Sequence, residues 1–237
     1  MIQPQYKRIL LKLSGEAFMG KRETGIDFEA VTQLAKEILE VKKLGVDVAI
    51  VNGAGNLFRG KSGAKHGMDQ ASADYIGMVA TVMNSLALQN AIENVGGETR
   101  VMSALEISKV AELYIRRRAI RHMEKDRIVI CACGTGNPFF TTDTAGVLRA
   151  LELNCEIMLK ASNVDGVYDS DPDENKLAKK FEKISYQDFV EKNLQALDQT
   201  AVALAREKNL PIEIFNFFEN GNLKKVVCGE RIGTLIR

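Results

Sequence analysis

Buried strands and amphipathic helices alternate along the chain, and this alternation limits its possible folds more than any other feature. Ile9–Leu13 is a mostly apolar strand, and a helix with one apolar face follows between Asp27, a predicted N-cap, and Gly45. The same order recurs as far as the strands Ile212–Phe215 and Thr234–Ile236. Near-continuous apolar strands joined by helices are typical of a mostly parallel sheet covered on both faces. The sequence therefore predicts a three-layer α/β/α sandwich.

The elements between these ends follow from the same patterns. Strands are predicted at residues 46–51, 100–102, 127–133 and 155–159, and helices at 78–87, 110–120, 143–153 and from Ser185 and Asp198 onwards. The turn dipeptide Asp165-Gly166 predicts a short hairpin over residues 163–168. No stretch resembles a linker or a repeat, so we expect a single domain over residues 1–237 whose two halves share one sheet.

The charge of the chain argues against one class of function. Lys and Arg number 32 against 31 Asp and Glu, a net charge of +1. Proteins that bind DNA or RNA through the backbone usually carry a basic excess. The dense basic run Arg116-Arg117-Arg118 lies beside Glu112 and Glu124, which is typical of a solvated helix face. We therefore expect no nucleic-acid polymer as a partner.

The cysteines and the hydropathy pattern indicate the compartment. The 4 cysteines form no CxxC pair, and Cys131 and Cys133 lie in an apolar run, so buried reduced thiols are predicted. No apolar stretch approaches the ~18 residues that a bilayer span needs, and the N-terminus does not resemble a signal peptide. We expect a cytoplasmic protein without a membrane partner.

Three polar turns that contain glycine follow buried strands. They are Ser14-Gly15, Gly53-Ala54-Gly55 and Gly134-Thr135-Gly136-Asn137. Small residues let backbone N–H groups approach an anion, and in open α/β sheets such turns lie together at the carboxyl edge of the strands. Ordinary connecting loops would account for any one of these turns, but three on one edge favour a substrate with several phosphates.

The segment from Gly55 to Ser62 matches the Walker pattern GxxxxGK[ST], but its context is wrong. Three residues separate it from the preceding strand, and the residues after Ser62 make a poor helix start. Leu57 and Phe58 are bulky where small residues normally fold the anion loop. We therefore interpret the match as coincidental.

Other kinds of site fit the sequence less well. Asp169, Asp171 and Asp173 begin like a calcium loop, but Glu174 replaces the glycine that such a loop requires. The 2 histidines cannot form a three-histidine zinc site. No protein-based metal site is assigned.

Charged residues near strand ends complete the candidate site. Lys12 lies inside an apolar strand, where a cation is costly unless it faces an anion. Lys160 follows another strand, and Arg59 follows the second glycine turn. Asp143 and Asp198 each begin a predicted helix. Cations oriented by carboxylates suit phosphoryl transfer, although a lysine extending from a sheet edge and two capping aspartates remain an alternative.

Five segments carry a family resemblance: Lys7–Ala17, Gly55–Gly60, Gly134–Asp143, Lys160–Tyr168 and the Asp171-Pro172 pair. In order and spacing they resemble the bacterial uridylate kinases of the amino acid kinase family. The third segment is the most specific, whereas the lysine strand and the Asp-Pro pair are shared across the wider family. The resemblance implies an amino acid kinase-like α/β/α fold. It also implies transfer of the ATP γ-phosphate to UMP, giving UDP for pyrimidine nucleotide biosynthesis.

The resemblance assigns a role to each matching position. The ATP-binding residues would be Lys12, Leu13, Ser14, Gly15, Gly55, Arg59, Ser162, Tyr168 and Asp171. The UMP-binding residues would be Ala54, Asp74, Thr135, Gly136, Asn137, Pro138, Phe139, Phe140, Thr141 and Thr142. The catalytic residues would be Lys12, Arg59, Lys160, Asp143 and Asp198. Asp74 would accept the ribose hydroxyls, and the UMP and ATP parts would cover roughly residues 1–155 and 156–237.

The resemblance also implies partners, and the chain departs from the family pattern at Ala54 and at Ser162, where relatives often have threonine and the hydroxyl is kept. It implies Mg²⁺ held mainly by the phosphates of ATP, a homohexamer, activation by GTP and inhibition by UTP. Thr24–Asp27 and Arg100 match the effector region only loosely. Relatives commonly have glycine where this chain has Ala54. Alanine does not adopt positive φ cheaply, so either Ala54 has ordinary dihedrals or UMP binds slightly differently.

Two other functions stay open. A non-catalytic protein could store an oxyanion or sense nucleotides on the same fold, but it would not need Lys12, Arg59, Asp74 and Asp198 together. A kinase for an amino acid or carbamate is the second alternative. Asp74 and the segment 137–140 favour a nucleotide acceptor over a small carboxylate. The apolar set Met78-Val82-Met83-Leu86 is interpreted as core rather than as a subunit contact.

Overall fold

The computed structural model describes residues 3–58, 67–170, 172 and 174–237. Its strands are β1 (Arg8–Leu13), β2 (Asp47–Asn52), β3 (Thr99–Ser103), β4 (Glu112–Leu113), β5 (Ile128–Ala132), β6 (Ile157–Ser162), β7 (Val167–Tyr168), β8 (Lys180–Phe181), β9 (Lys183–Ile184), β10 (Ile212–Asn216) and β11 (Thr234–Ile236). Its α-helices are α1 (Phe28–Lys42), α2 (Gln70–Asn94), α3 (Arg116–Glu124), α4 (Thr142–Glu152), α5 (Tyr186–Glu191), α6 (Gln199–Lys208) and α7 (Asn222–Val227). A 3-10 helix spans Gly15–Phe18.

The described strands build one large sheet and one small one. The large sheet has nine strands in the order β4-β3-β5-β2-β1-β6-β10-β11-β9, and β7 pairs with β8 beside it. Neighbouring strands of the large sheet are parallel except β10 and β11, which are antiparallel. The carboxyl ends of β1, β2, β5 and β6 therefore meet at one edge.

Each face of the large sheet is covered by helices, which explains why its strands are apolar on both sides. Ile9 and Leu11 of β1 pack in one core cluster with side chains of α1, α2 and α7. Leu10, between them, packs in a second cluster with side chains of α3, α4, α5 and α6. The predicted three-layer α/β/α sandwich is confirmed.

The helix starts were largely readable from capping residues. The carboxylate of Asp27 accepts hydrogen bonds from the N–H groups of Glu29 and Ala30, and Ser185 and Asp198 cap α5 and α6. The start of α4 differs from the prediction. Thr141 caps it, which leaves the side chain of Asp143, in the first turn, available for other partners.

Two predicted elements are wrong. Residues 110–115 are not helical: Tyr114 N–H donates to Ser103 O and β4 pairs with β3, while Val110 and Leu113 are exposed. Hydrogen bonding at the sheet edge has overridden an apolar spacing that suggests a helix. The hairpin over residues 163–168 does not form either, because β7 pairs with β8, which begins at Lys180.

The apolar side chains of α2 divide between core and surface. Met78 and Val82 are buried, as predicted for core residues, but Met83 is 55% exposed. Tyr75, Ile76 and Val79 are exposed as well. The interpretation of the whole set as core is therefore wrong at Met83.

Three of the four cysteines are buried as predicted, whereas Cys228 is half-buried. All four cysteines are free, and Cys131, Cys133 and Cys155 are buried. Burial raises the pKa of Cys131 to about 12, so this thiol is protonated near neutrality. Among the described residues, no helix is both long and apolar enough to cross a membrane.

Glu213 of β10 is a buried carboxylate far from the carboxyl edge of the sheet. It is only 7% exposed and lines a small cavity with Tyr6, Arg231 and Arg237. Burial raises the pKa of Glu213 to about 7, and the guanidinium of Arg231 offsets part of this effect. Because the unfolded chain has a pKa of 4.5 at this position, the folded state retains a proton that the unfolded state loses.

Glu213→Gln is therefore expected to stabilise the protein at alkaline pH and to have little effect at acid pH. The free energy of unfolding of the wild type should fall as pH rises from 4.5 through about 7. The glutamine variant should lack this component and gain about 1–3 kcal/mol over the wild type at pH 8. Urea unfolding of both proteins at pH 5 and pH 8 measures the difference. An equal difference at both pH values would contradict the prediction.

Candidate active site

A cleft of about 340 Å³ opens at the carboxyl edge, where all three glycine turns meet. The predicted site residues that line it are Lys12, Ser14, Gly15, Ala54, Gly55, Asp74, Thr135, Asn137, Phe140, Thr141 and Thr142. These residues come from the ends of β1, β2 and β5 and from the starts of α2 and α4. The parallel strand order thus brings together positions that lie up to 130 residues apart in the sequence.

The first two glycine turns pack backbone against backbone. A Cβ on Gly15 would clash with the backbone nitrogen of Gly55 and lie 2.8 Å from that of Asn56. Gly53 N–H donates to Leu13 O at 2.8 Å, which ties the turn to β1. In the described part of the chain, the N–H groups of Ala54 and Asn56 have no hydrogen-bond acceptor. Such N–H groups can bind a phosphate.

Ala54 has ordinary dihedrals. It is not among the residues with positive φ, and its side chain is buried against the cleft wall. The methyl group therefore introduces no backbone strain into the turn. This settles the question raised by the missing glycine in favour of ordinary dihedrals.

A buried amide network holds the second turn from below. Asn84 of α2 donates to Gly53 O at 2.9 Å and to Asn56 Oδ1 at 2.8 Å. Asn56 Nδ2 in turn donates to Asn84 Oδ1 and to Gly25 O. Because buried amides are costly unless their hydrogen bonds are satisfied, this pair fixes the turn relative to α2.

Two lysines share one aspartate beside the cleft. Lys12 Nζ lies 2.7 Å from Asp143 Oδ1, and Lys160 Nζ lies 2.6 Å from Asp143 Oδ2. Lys12 and Lys160 are register partners on the adjacent parallel strands β1 and β6, so their side chains leave the same face of the sheet. With both lysines protonated, the cluster carries a net charge of +1, and an anion in the cleft can compensate it.

Burial and charge oppose each other in this cluster. Burial alone would raise the pKa of Asp143, but Lys12 and Lys160 outweigh it and lower the pKa below its ordinary value. Burial also lowers the pKa of Lys160, although the carboxylate of Asp143 acts in the opposite direction. Asp143 is therefore ionised near neutral pH and holds both ammonium groups in place.

Asp198 reaches the same region from the start of α6. Its carboxylate accepts hydrogen bonds from the hydroxyls of Thr141 and Thr144 and from the N–H of Ala201. Asp198 thus links the N-termini of α4 and α6. Its oxygens accept hydrogen bonds from hydroxyl and amide donors, and its negative charge also acts to raise the pKa of Lys160.

A second cavity of about 470 Å³ lies beyond the end of β6. Tyr168 lines it together with residues 163–164 and 192–196. Lys160 Nζ also donates to Ala196 O at 2.7 Å, so the lysine pair connects the two cavities. Tyr168 OH donates to Asp165 Oδ1 at 2.7 Å, which fixes its ring on the cavity wall.

The sequence interpretation missed one wall of the first cleft. Asp74 is accompanied there by Gly77, Met78 and Thr81 of α2. The spacing i, i+3, i+4, i+7 places these residues on one face of the helix. Given Asp74 as a site residue, the helical spacing would have predicted Gly77, Met78 and Thr81 as its neighbours in the cleft.

The remaining predicted site residues either lie near the two cavities or fall outside the residues that the structure describes. Leu13 is buried in β1, and Ser162 ends β6, with its hydroxyl accepting the Val164 N–H. The lining of the first cleft does not include Leu13, Ser162, Gly136, Pro138 or Phe139. Phe139 nevertheless contacts a lining residue, because its N–H donates to Asp74 Oδ2 at 2.8 Å. Arg59 and Asp171 lie outside the described residues, as does most of the Walker-like segment.

Fold and cleft together define an α/β protein with a glycine-lined cleft at its strand ends and a buried cluster of Lys12, Asp143 and Lys160 beside it. The sequence pattern of the amino acid kinase family matches residues 7–216. The chain belongs to the amino acid kinase family.

Solved structures show which members of that family the chain is similar to. A UMP kinase from Bacillus anthracis is 44% identical, with a TM-score of 0.95 over 98% of this chain and 96% of that one. A UMP kinase from Ureaplasma parvum is 35% identical, with a TM-score of 0.93 over 98% and 99% of the two chains. A uridylate kinase from Archaeoglobus fulgidus is 26% identical, with a TM-score of 0.75 over 97% and 99%. The predicted resemblance to the bacterial uridylate kinases is confirmed.

Proposed function

We propose that the protein is a kinase that transfers the γ-phosphate of ATP to UMP and releases UDP and ADP. The observation that carries the proposal is the Lys12–Asp143–Lys160 cluster between two cavities at the strand ends. Two UMP kinases match nearly the whole chain at 44% and 35% identity, and this similarity supports UMP as the acceptor. The glycine turns supply backbone N–H groups for several phosphates.

The two cavities suggest one site for each nucleotide. UMP occupies the first cleft, where Asp74 and residues 134–135, 137 and 140–142 form part of the wall. The adenosine of ATP occupies the second cavity, which Tyr168 lines. The phosphates of ATP then extend past Lys160 towards Lys12. This arrangement assigns residues 1–155 mainly to UMP and residues 156–237 mainly to ATP.

The reaction needs positioning and charge stabilisation rather than a nucleophilic side chain. An oxygen of the UMP phosphate attacks the γ-phosphorus of ATP in line, the bond to the β–γ bridging oxygen breaks, and ADP leaves with that electron pair. The phosphate of UMP is already anionic near neutral pH, so no general base is required. Lys12, held by Asp143, stabilises the oxygens of the phosphoryl group in transfer, and Arg59 is proposed to assist it.

Mg²⁺ fits this site as part of the ATP substrate. The described residues contain no cluster of three or more potential metal ligands. Both carboxylate oxygens of Asp143 contact lysines, and Asp198 accepts three different donors. We propose that the ion is held mainly by the phosphates of ATP, whose charge it would neutralise.

An apolar face on α2 supports a proposed homo-oligomer. Tyr75, Ile76, Val79 and Met83 are each more than 40% exposed. We propose that a second copy of the chain covers them within a hexamer, which light scattering measures. Activation by GTP, inhibition by UTP and a cytoplasmic location are further parts of the proposal, the last supported by the free cysteines.

A coupled assay of ADP release tests the function directly. Purified protein with ATP and Mg²⁺ is given UMP, CMP, dUMP or aspartate in separate reactions. UMP should give the highest kcat/KM, and aspartate should give no turnover. Turnover with aspartate alone would favour an amino acid kinase, and no turnover with any acceptor would favour a binding protein.

Asp74→Asn should reduce the preference for UMP over dUMP. A carboxylate accepts a ribose hydroxyl through a charge-assisted hydrogen bond that contributes about 1.5–3 kcal/mol, which predicts a loss of roughly 10- to 100-fold in kcat/KM for UMP. The activity with dUMP should change much less. Steady-state kinetics with both acceptors measure the ratio. An unchanged UMP/dUMP ratio would remove Asp74 from ribose recognition.

A further inference from the structure

Arg149 of α4 is a buried cation that the proposed reaction does not use. It is only 5% exposed, and its guanidinium carbon lies 3.9 Å from the centroid of the Tyr114 ring. Its NH1 donates to Glu152 Oε2 at 2.6 Å, and the same oxygen accepts the hydroxyl of Tyr114 at 2.8 Å. Nε of Arg149 is buried and has no partner in the described part of the chain.

Stability alone does not account for such a group. Burying a guanidinium is costly, and replacing a buried ion pair by apolar side chains is often neutral or stabilising. The remaining contact of Arg149 joins it to the first cleft rather than to its own helix. Its NH2 donates at 3.2 Å to Gly134 O, in the glycine turn that lines the first cleft.

This contact fixes the orientation of one peptide plane. In a trans peptide, the carbonyl of one residue and the N–H of the next lie in one plane and point in opposite directions. Gly134 O points towards Arg149, which does not line the cleft, whereas Gly134 and Thr135 do. The Thr135 N–H therefore points away from Arg149, and it has no acceptor among the described residues.

Among the described residues, the other hydrogen bonds of the turn do not involve the Gly134 carbonyl, so the orientation of the Gly134–Thr135 peptide plane depends on Arg149. Cys133 N–H donates to Thr81 Oγ1 at 2.8 Å, and Gly136 N–H donates to Cys133 O. Cys133 and Gly134 both have positive φ, at 62° and 56°. This region is sparsely populated for residues other than glycine, so the conformation of Cys133 persists only where its surroundings hold it, whereas Gly134 adopts its own readily.

We propose that Arg149 is a positioning residue for the acceptor nucleotide, which holds the Gly134 carbonyl so that the Thr135 N–H donates to UMP. The inference rests on the proposed UMP kinase function. It predicts an effect confined to the acceptor, because the contacts of Arg149 lie on the UMP side and not at the second cavity. A merely structural arginine would instead affect stability and both substrates.

Arg149→Met tests this through the separation of KM values. Loss of one oriented hydrogen bond should raise KM for UMP about 10-fold, with KM for ATP and kcat within about 2-fold of the wild type. Calorimetric titration with UMP should show a matching loss of affinity without turnover. An unchanged KM and affinity for UMP, or equal rises in KM for UMP and ATP, would overturn the positioning role.

Two further variants separate positioning from folding. Tyr114→Phe keeps the ring under the guanidinium and the bond to Gly134 O but removes the hydroxyl bonded to Glu152. It should lower the melting temperature and leave KM for UMP near the wild-type value. Arg149→Lys keeps the charge without the planar guanidinium and should show a KM for UMP between those of the wild type and Arg149→Met. If the methionine variant does not fold, the lysine variant tests the positioning role in its place. A wild-type protein that neither binds nor phosphorylates UMP would overturn the proposed function itself.

Discussion

Lys12→Met should lower kcat by roughly 10²–10³, which is the loss seen when one donor to a developing oxyanion is removed. Lys12 lines the cleft, and its ammonium is held 2.7 Å from the carboxylate of Asp143. Because this position is fixed before substrate binds, no reorganisation is needed as charge moves onto the transferring group. KM values for ATP and UMP should change much less than kcat, since the interaction strengthens in the transition state.

The cluster itself should survive the substitution. Asp143 keeps Lys160 at 2.6 Å, so the variant does not leave a buried carboxylate without a cation. Breaking a lone buried pair would be far more disruptive. We therefore expect Lys12→Met to fold and to show a melting temperature close to that of the wild type. Circular dichroism and thermal melting check this before the kinetics are interpreted.

Lys42 offers a matched control in the same chain. It is also a buried lysine, 8% exposed, with Asp126 Oδ1 at 2.6 Å and Asp47 Oδ1 at 3.4 Å. It lies at the opposite edge of the sheet, near the start of β2. Lys42→Met should lose stability but retain kcat. Near-normal turnover in Lys12→Met would remove Lys12 from the chemistry, and an equal loss in Lys42→Met would point to general disruption.

The sequence contained enough to predict the fold and most of the first cleft. Apolar strands, capping residues and glycine turns are local signals, and the parallel arrangement follows from their alternation. Lys12 stood out because a cation in an apolar strand needs a partner. These features required no knowledge of which strands are neighbours.

What could not be predicted depends on strand register and on distant contacts. Lys160 lies 148 residues after Lys12, and only the β1–β6 register shows that both contact Asp143. The residues around Tyr114 have a spacing that suggests a helix, and only the free edge of β3 explains why they form a strand. Arg149 resembles any arginine on an amphipathic helix until Gly134 and Tyr114 are placed beside it.

Gly15→Ala is the second substitution with a large expected effect, and it tests the close packing of the two glycine turns. The added Cβ would clash with the Gly55 backbone nitrogen and lie 2.8 Å from the Asn56 backbone nitrogen. These are main-chain atoms held from below by the Asn56–Asn84 amide pair, so they cannot move aside cheaply. The turn must shift, and its N–H groups must leave the positions in which we propose that they bind phosphate. We expect kcat/KM to fall by roughly 10²-fold or more, since small displacements of positioning groups have effects of that size.

Gly146→Ala is the matched control, because it adds the same methyl group outside the two glycine turns, in α4. There the new Cβ would lie 3.1 Å from the terminal atoms of Met158, a flexible side chain that can adjust. Alanine also favours the helix that contains Gly146, so this variant should fold and keep near-normal kinetics. Kinetics and melting temperatures of the two variants are compared side by side. If Gly15→Ala retained activity while the control behaved as expected, the two turns would not need this close approach, and phosphate binding by the Gly53–Asn56 turn would have to be abandoned.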